Sequence, residues 1–266
     1  MITEFQFLGT GNARQVPCYG CDCVACVRAR AVKDYRRGPC SAKITTPEGV
    51  ILLDAGQTNL TERFAPSELH SILLTHYHMD HVQGLFHLRW GKASGLNVPV
   101  YGPDDDKGCD DLFKHPGILT FLPPPELFKP FELAGLSVTP VPLNHSKPCI
   151  GYIISDQVQT IAYFTDTLGL PENTYEYLSN IDLHTLIIDC SFPPRPEPQN
   201  HNSLTEALTI IERLNPKSTY LTHIGHDLDS FLMAGNYSLP ANVFLAKDNQ
   251  TIIAEKYQHS CIGGEM

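Results

Sequence analysis

Apolar and β-branched residues recur along the chain in short runs of strand length, each closed by glycine, proline, asparagine or aspartate. Such runs occupy Phe5–Leu8, Ala42–Thr45, Val50–Leu53, Ser71–Leu74, Val98–Tyr101, Leu136–Pro142, Tyr152–Ile154, Thr160–Phe164, Thr185–Ile188, Thr219–Leu221, Asn242–Leu245 and Thr251–Ala254. Patterns at the helical period are fewer. Ser203-Leu204-Thr205-Glu206 reads as a capping box that opens an amphipathic run from Ala207 to Leu214, stopped by Asn215-Pro216. Further helices are expected at Asp105–Phe113, Pro171–Leu178 and Asp227–Met233. Proline has no N–H to give to a ladder, so the proline-rich stretches Leu122–Pro130 and Phe192–Pro198 are expected as ordered surface loops. Many strands, scattered helices and no gap resembling a linker predict one α/β domain over residues 1–266, built on two sheets.

Composition narrows the class. With 42% hydrophobic and 18% charged residues the chain has enough apolar material for a sizeable core, which excludes disorder, collagen and coiled coil. A formal net charge of −10 argues against nucleic acid and anionic membranes as partners, because affinity for either comes from clustered Lys and Arg. No apolar run approaches the ~20 residues needed to span a bilayer. Met1-Ile2-Thr3-Glu4 has neither the basic nor the apolar region of a signal peptide, so a cytoplasmic location is expected. The segment ending Gly263-Gly264-Glu265-Met266 carries no motif and is expected to be a mobile tail.

The chemistry concentrates after the run Ser71–Leu74. Four of the six residues in His76-Tyr77-His78-Met79-Asp80-His81 are potential metal ligands. In an extended turn His76 and His78 point the same way, and a helix beginning near Asp80 would place Asp80 and His81 on its first turn. Three later runs end alike: Val138–Leu143 in Asn144-His145, Thr160–Phe164 in Thr165-Asp166, and Ser218–Leu221 in Thr222-His223. Each delivers an imidazole or carboxylate just past a strand's C-terminal end, where α/β folds assemble their sites. Seven ligands are too many for one ion. Two ions fit: His76, His78 and His145 on the first, Asp80, His81 and His223 on the second, with Asp166 bridging. Mixed nitrogen and oxygen ligation suits Zn, Mn or Fe. Asp54 closes a buried-looking strand and is expected to accept the other ring N–H of a ligand imidazole and so orient it.

Nine cysteines cannot all pair, and without an export signal the close set Cys21, Cys23 and Cys26 reads as metal ligands in a loop insertion near residues 12–40. A structural zinc takes four ligands, and spacing alone offers Cys18 as the fourth. Cys40, Cys109, Cys149, Cys190 and Cys261 read as ordinary core or surface residues. Lys147, Arg89 and Arg195 are candidate cations for an anionic substrate.

Thr75–His81 with His145, Asp166 and His223 resembles the ligand set of the metallo-β-lactamase superfamily, whose fold is an αββα sandwich of two mixed sheets flanked by helices. The likeness is closer still. Asp54 in Leu52–Gly56, His76–Leu85, Tyr101–Pro103, Gly108–Gly117, Pro142–Lys147 and Asp189–Ser191 resemble the PhnP-type phosphodiesterases of the carbon–phosphorus lyase pathway, from about Gly9 to Leu232. That resemblance implies two divalent ions (Mn or Zn), one structural Zn, and His226 rather than Cys18 as its fourth ligand. It also implies a catalytic role for His201, in Gln199-Asn200-His201-Asn202, as general acid or phosphate clamp, with Asp80 counted beside it. The implied reaction opens 5-phosphoribose 1,2-cyclic phosphate to ribose 1,5-bisphosphate in phosphonate catabolism, by a homodimer acting on a small anionic sugar phosphate. The alternatives are a 2′,3′-cyclic-nucleotide or other small phosphodiester hydrolase on the same scaffold, and a non-catalytic relative in cofactor biosynthesis.

Overall fold

A computed structural model describes residues 1–92, 94–235 and 237–252. The strands are β1 (Glu4–Gly9), β2 (Ser41–Thr46), β3 (Gly49–Leu53), β4 (Leu69–Leu73), β5 (Val98–Tyr101), β6 (Leu119–Phe121), β7 (Phe131–Leu133), β8 (Leu136–Pro142), β9 (Ile150–Ser155), β10 (Thr160–Phe164), β11 (Thr185–Asp189), β12 (Ser218–Thr222), β13 (Val243–Leu245) and β14 (Thr251–Ile252). The helices are α1 (Val24–Ala31), α2 (Leu60–Arg63), α3 (Met79–Val82), α4 (Leu85–Leu88), α5 (Asp110–Lys114), α6 (Glu172–Leu178), α7 (Leu204–Leu214) and α8 (His226–Met233). The strands form two seven-stranded sheets, ordered β14-β1-β2-β3-β4-β5-β6 and β13-β12-β11-β10-β9-β8-β7. Both are mixed. β1 to β3 pair antiparallel and β3 to β6 parallel, while β7 to β10 pair antiparallel and β10 to β13 parallel.

The period-2 rule accounts for the continuous apolar runs, because a strand buried on both faces needs no polar side. In Val50–Leu53, Ile51 and Leu53 enter the core between the sheets, whereas Val50 and Leu52 enter the core under α2, α3 and α4. In β10, Ile161 and Tyr163 face the other sheet, and Ala162 and Phe164 face α6 and α7. The layers are therefore helix, sheet, sheet, helix, as the resemblance implies.

α7 carries the capping box read from the sequence. Ser203 Oγ accepts from the Thr205 N–H at 3.2 Å, and the Ser203 N–H donates to Glu206 Oε2 at 3.0 Å. Ser203→Ala is expected to lower unfolding free energy by about 1 kcal/mol, read from urea unfolding; an unchanged midpoint would show the cap to be idle.

Some elements depart from expectation. The helix expected over Asp105–Phe113 is confined to α5. A Cβ on Gly108 would lie 2.8 Å from the Tyr77 ring, and Asp105 Oδ1 accepts from the Lys107 N–H in a turn, so the chain is bent there. α1 was not expected. It buries only the small side chains of Ala25, Cys26 and Ala29 and leaves Val24 and Val27 exposed, so no apolar stripe marks it. The run expected to Ala254 is described as far as Ile252; the terminal tail and Cys261 lie outside the described residues. No helix among those residues is long and apolar enough to cross a membrane.

Candidate metal centres

β10, β11 and β12 run parallel, so their C-terminal ends bring Asp166, Asp189 and His223 to one edge of the second sheet. β8 ends at the same edge and is followed by His145. From the first sheet, β4 leads into His76, His78, Asp80 and His81, the last two within α3. The seven side chains meet where these ends face each other. Asp54, Asp166 and His223, each just past a strand, are held at φ of 54°, 58° and 57°. Left-handed backbone costs a non-glycine residue about 1–2 kcal/mol, a strain that persists where function demands the side chain's direction.

The cluster divides at one carboxylate. Asp166 Oδ2 lies 3.6 Å from both His76 Nε2 and His145 Nε2, and His78 Nδ1 lies 2.9 and 3.0 Å from those two nitrogens. Asp166 Oδ1 lies 3.1 Å from His81 Nε2 and 3.3 Å from His223 Nε2, and Asp80 Oδ2 is 3.6 Å from each. The two oxygens of Asp166 thus face two separate donor sets. His81 Nε2 and His223 Nε2 are buried and make no hydrogen bond among the described residues. Such an orphan costs about 1–3 kcal/mol, which a cation facing these nitrogens would remove. The residues fit a pair of divalent ions.

The electrostatics agree. Burial, with the charge on His81, holds His76 well below the ordinary imidazole range; burial lowers His78 and takes His145 down to about 4. Burial opposes charge on Asp166 and Asp80 as well, but the surrounding imidazoles outweigh it and keep both carboxyls ionised. Neutral imidazoles beside ionised carboxylates are the protonation states that ligation requires. His81 is the exception: burial is outweighed by Asp166 and Asp54, which raise it well above its usual range, so an ion binding its Nε2 would have to displace a proton.

Apart from His78, the rings are aimed by their other nitrogen. His81 Nδ1–H donates to Asp54 Oδ2 at 2.9 Å, the partner expected from the sequence. Asp54 also accepts from the Thr75 N–H and from Thr75 Oγ1, which in turn lies 3.0 Å from His76 Nδ1. His145 Nδ1–H donates to the Asn200 carbonyl at 3.1 Å. His223 Nδ1–H donates to Ser191 Oγ at 2.9 Å, and that hydroxyl reaches Asp189 Oδ1. His201 Nδ1–H donates to Asp189 Oδ2 at 2.8 Å; although burial opposes it, this carboxylate raises His201 to about 9.

A second cluster joins Cys21, Cys23, Cys26 and His226, whose ligand atoms all lie within 4.8 Å of one another. His226 Nδ1 is 3.5 Å from Cys21 Sγ and 3.4 Å from Cys23 Sγ. Cys18 stands outside this group: its N–H donates to Cys26 Sγ, and its own thiol reaches the Tyr19 carbonyl. Spacing alone nominated Cys18 because it ignores α8, which brings His226 onto the loop. Gly225 lets the chain turn from His223 to His226, since a Cβ there would lie 2.6 Å from the Ser191 carbonyl.

The family model described as "Beta-lactamase superfamily domain" matches residues 50–224, a stretch that holds all seven residues of the larger cluster. The chain belongs to that family. Among its relatives, an "Octanoyltransferase" of Porphyromonas gingivalis is 30% identical over 234 residues, covering 82% of this chain; the chain spans only 45% of that protein's length. The "Probable metallo-hydrolase YhfI" of Bacillus subtilis is 25% identical over 193 residues, 66% of this chain and 75% of that one. A crystal structure of a diphosphatase from the PhnP family superposes with a TM-score of 0.79 at 28% identity, covering 95% of this chain and 98% of that one.

Within this beta-lactamase superfamily site, two features escaped the sequence. One is the role of Asp189, which aims both His201 and, through Ser191, His223; the sequence offered it only within the resembling stretch Asp189–Ser191, at the end of a hydrophobic strand, with no role assigned. The expected substrate cations are engaged elsewhere. Lys147 Nζ is 3.3 Å from Asp105, and Arg89 is buried against Asp111 and the His115 carbonyl. The Arg195 guanidinium stacks 4.5 Å above the Phe192 ring. Charge alone marks such residues; only folding decides which ones are already paired.

Proposed function

We propose that the chain is a dinuclear metal-dependent phosphoric diester hydrolase acting on a small anionic sugar phosphate. The substrate we infer is 5-phosphoribose 1,2-cyclic phosphate, opened to ribose 1,5-bisphosphate in phosphonate catabolism. The observation that carries this reading is Asp166, whose two oxygens face two donor sets. His76, His78, His145 and Asp166 would hold one divalent ion (Mn or Zn), and Asp80, His81, His223 and Asp166 the other. Bound there, such ions would acidify water and neutralise charge on the phosphoryl oxygens. Cys21, Cys23, Cys26 and His226 would hold a structural Zn that fastens the 12–40 insertion to the rest of one domain. A cytoplasmic homodimer completes the reading.

The chain's own residues prepare the rest. His201, Asp80, Asp166 and His223 line one cavity of about 460 Å³. Asp189 fixes the proton on His201 Nδ1 and stabilises the imidazolium, so His201 can deliver the proton on its other nitrogen to a departing alkoxide. Asp54, Thr75, Ser191 and the Asn200 carbonyl hold four other rings in place, which spares the site reorganisation during reaction. His201→Ala is therefore expected to lower kcat about 100-fold for an alkyl diester, and far less for an aryl diester whose phenolate leaves without a proton. Equal losses for both leaving groups would reject the acid role.

A second reading, cleavage of a diphosphate, is favoured by the 28% identical diphosphatase. Turnover of 5-phosphoribose 1,2-cyclic phosphate, a 2′,3′-cyclic nucleotide and a nucleoside diphosphate sugar, compared at equal metal loading, tests the choice. Faster cleavage of either competitor would replace the proposed substrate.

A further inference from the structure

Besides the His201 imidazolium, which Asp189 already pairs, the cavity over the metal-ligand cluster is lined by one arginine and no lysine among the described residues: exposed Arg14, from the loop that follows β1. The Arg14 guanidinium makes no ion pair or hydrogen bond among the described residues; only its backbone N–H is engaged, donating to Asn12 Oδ1 at 3.1 Å. Asn12 and Asn200 line the same cavity. Each commits its amide oxygen to a backbone N–H, Asn12 to that of Arg14 and Asn200 to that of Ser146 at 2.9 Å. Their amide nitrogens are left without a hydrogen bond among the described residues. One part of the wall thus offers donors only, and another offers the carboxylates of Asp80 and Asp166.

We propose that Arg14, with the amide groups of Asn12 and Asn200, forms a subsite for a second anionic group of the substrate, a phosphate that is not cleaved. The inference rests on the phosphodiester reading and names what selects the substrate at that site. In the proposed reading the two ions take up Asp80, Asp166 and the phosphoryl group to be cleaved, so in a chain of net charge −10 a second phosphate needs a positive partner of its own. An unpaired guanidinium supplies one without first breaking an ion pair, and its planar fork matches two phosphate oxygens. The loop that carries it is tied down. The Asn12 N–H donates to the Ile224 carbonyl, next to His223, and buried Arg37 pairs with Asp229 at 2.8 Å. The Cys21, Cys23, Cys26 and His226 cluster grips the same loop further along, so it acts to position Arg14 as well as to stiffen the fold.

The test compares the metal-loaded protein with Arg14→Ala and Arg14→Lys on two substrates. 5-Phosphoribose 1,2-cyclic phosphate has a second phosphate, and bis(p-nitrophenyl) phosphate has none. For Arg14→Ala, kcat/KM on the sugar substrate is expected to fall about 10- to 100-fold, chiefly through KM, with a loss on the aryl diester at least tenfold smaller. Arg14→Lys should recover part of the loss. Equal losses on both substrates, or a loss confined to kcat, would overturn the subsite. Binding of ribose 5-phosphate by calorimetry supplies a readout that needs no turnover. Weaker binding by Arg14→Ala than by the wild type supports the subsite, and equal binding overturns it. If the wild type cleaves neither diester, the hydrolase reading fails, while the calorimetric comparison still decides the role of Arg14.

Discussion

Asp166→Asn is expected to lower turnover of bis(p-nitrophenyl) phosphate by about 10³-fold or more, with loss of catalytic metal and no change in far-ultraviolet circular dichroism. The expectation follows from position. Among the described residues Asp166 is the one carboxylate whose two oxygens face both donor sets, at 3.1–3.6 Å from His76, His81, His145 and His223. Asparagine keeps nearly the same shape and tolerates the left-handed backbone at φ 58°, whereas alanine would add about 1 kcal/mol of strain. The amide removes the negative charge that opposes two clustered cations and turns one ligand oxygen into a donor. His78→Ala should also abolish turnover, since His78 Nδ1 sits between His76 and His145. Activity within tenfold of wild type in Asp166→Asn would reject the dinuclear assignment. Elemental analysis of protein purified without added metal separates the catalytic pair from the structural ion by count.

Cys23→Ser is expected to release one zinc per chain and to lower stability by about 3 kcal/mol, which for a chain of this size moves Tm by roughly 6–12 °C. Cys23 is the residue before α1, and its sulfur is 3.4 Å from His226 Nδ1 on α8. α1 buries only three small side chains, so a zinc bound at the proposed site, more than apolar packing, would hold it in place. A serine hydroxyl stays protonated at neutral pH and is a poor zinc ligand. Activity should fall less than in Asp166→Asn, because the catalytic cluster keeps every side chain and loses only the firmness of the neighbouring loop. Equal zinc content in wild type and variant would reject the structural site.

Much of this was legible in the chain. His76, His78, Asp80 and His81 are near neighbours, so their convergence is a local property that spacing reveals. Asp54 could be expected as an orienting partner because it closes an apolar strand on the sheet that carries that motif. The capping box of α7 was readable for the same reason: Ser203 and Glu206 meet within one helical turn. What stayed hidden were residues whose meaning depends on distant partners. Asp189 stood out only as part of a resembling stretch, and its role appears once β11 lies between β10 and β12. Cys18 has better spacing than His226, but α8 is what places an imidazole beside the thiols.

The sequence by itself marked twelve of the fourteen strands, because runs of apolar residues closed by turn residues are a local property; β6 and β7, three residues each on either side of the proline-rich stretch Leu122–Pro130, were too short to stand out. It also nominated the seven residues of the larger cluster and the three thiols of the smaller, since few other residue types ligate divalent ions, while spacing alone left the fourth member of the smaller set at Cys18. Tertiary structure alone decided how the expected bridge is made, with each oxygen of Asp166 3.1–3.6 Å from a different pair of imidazoles, and that Arg14 rather than Lys147, Arg89 or Arg195 lines the cavity. Those outcomes depend on where the ends of two sheets meet and on which charges find partners on the way. Neither is a property of any one segment.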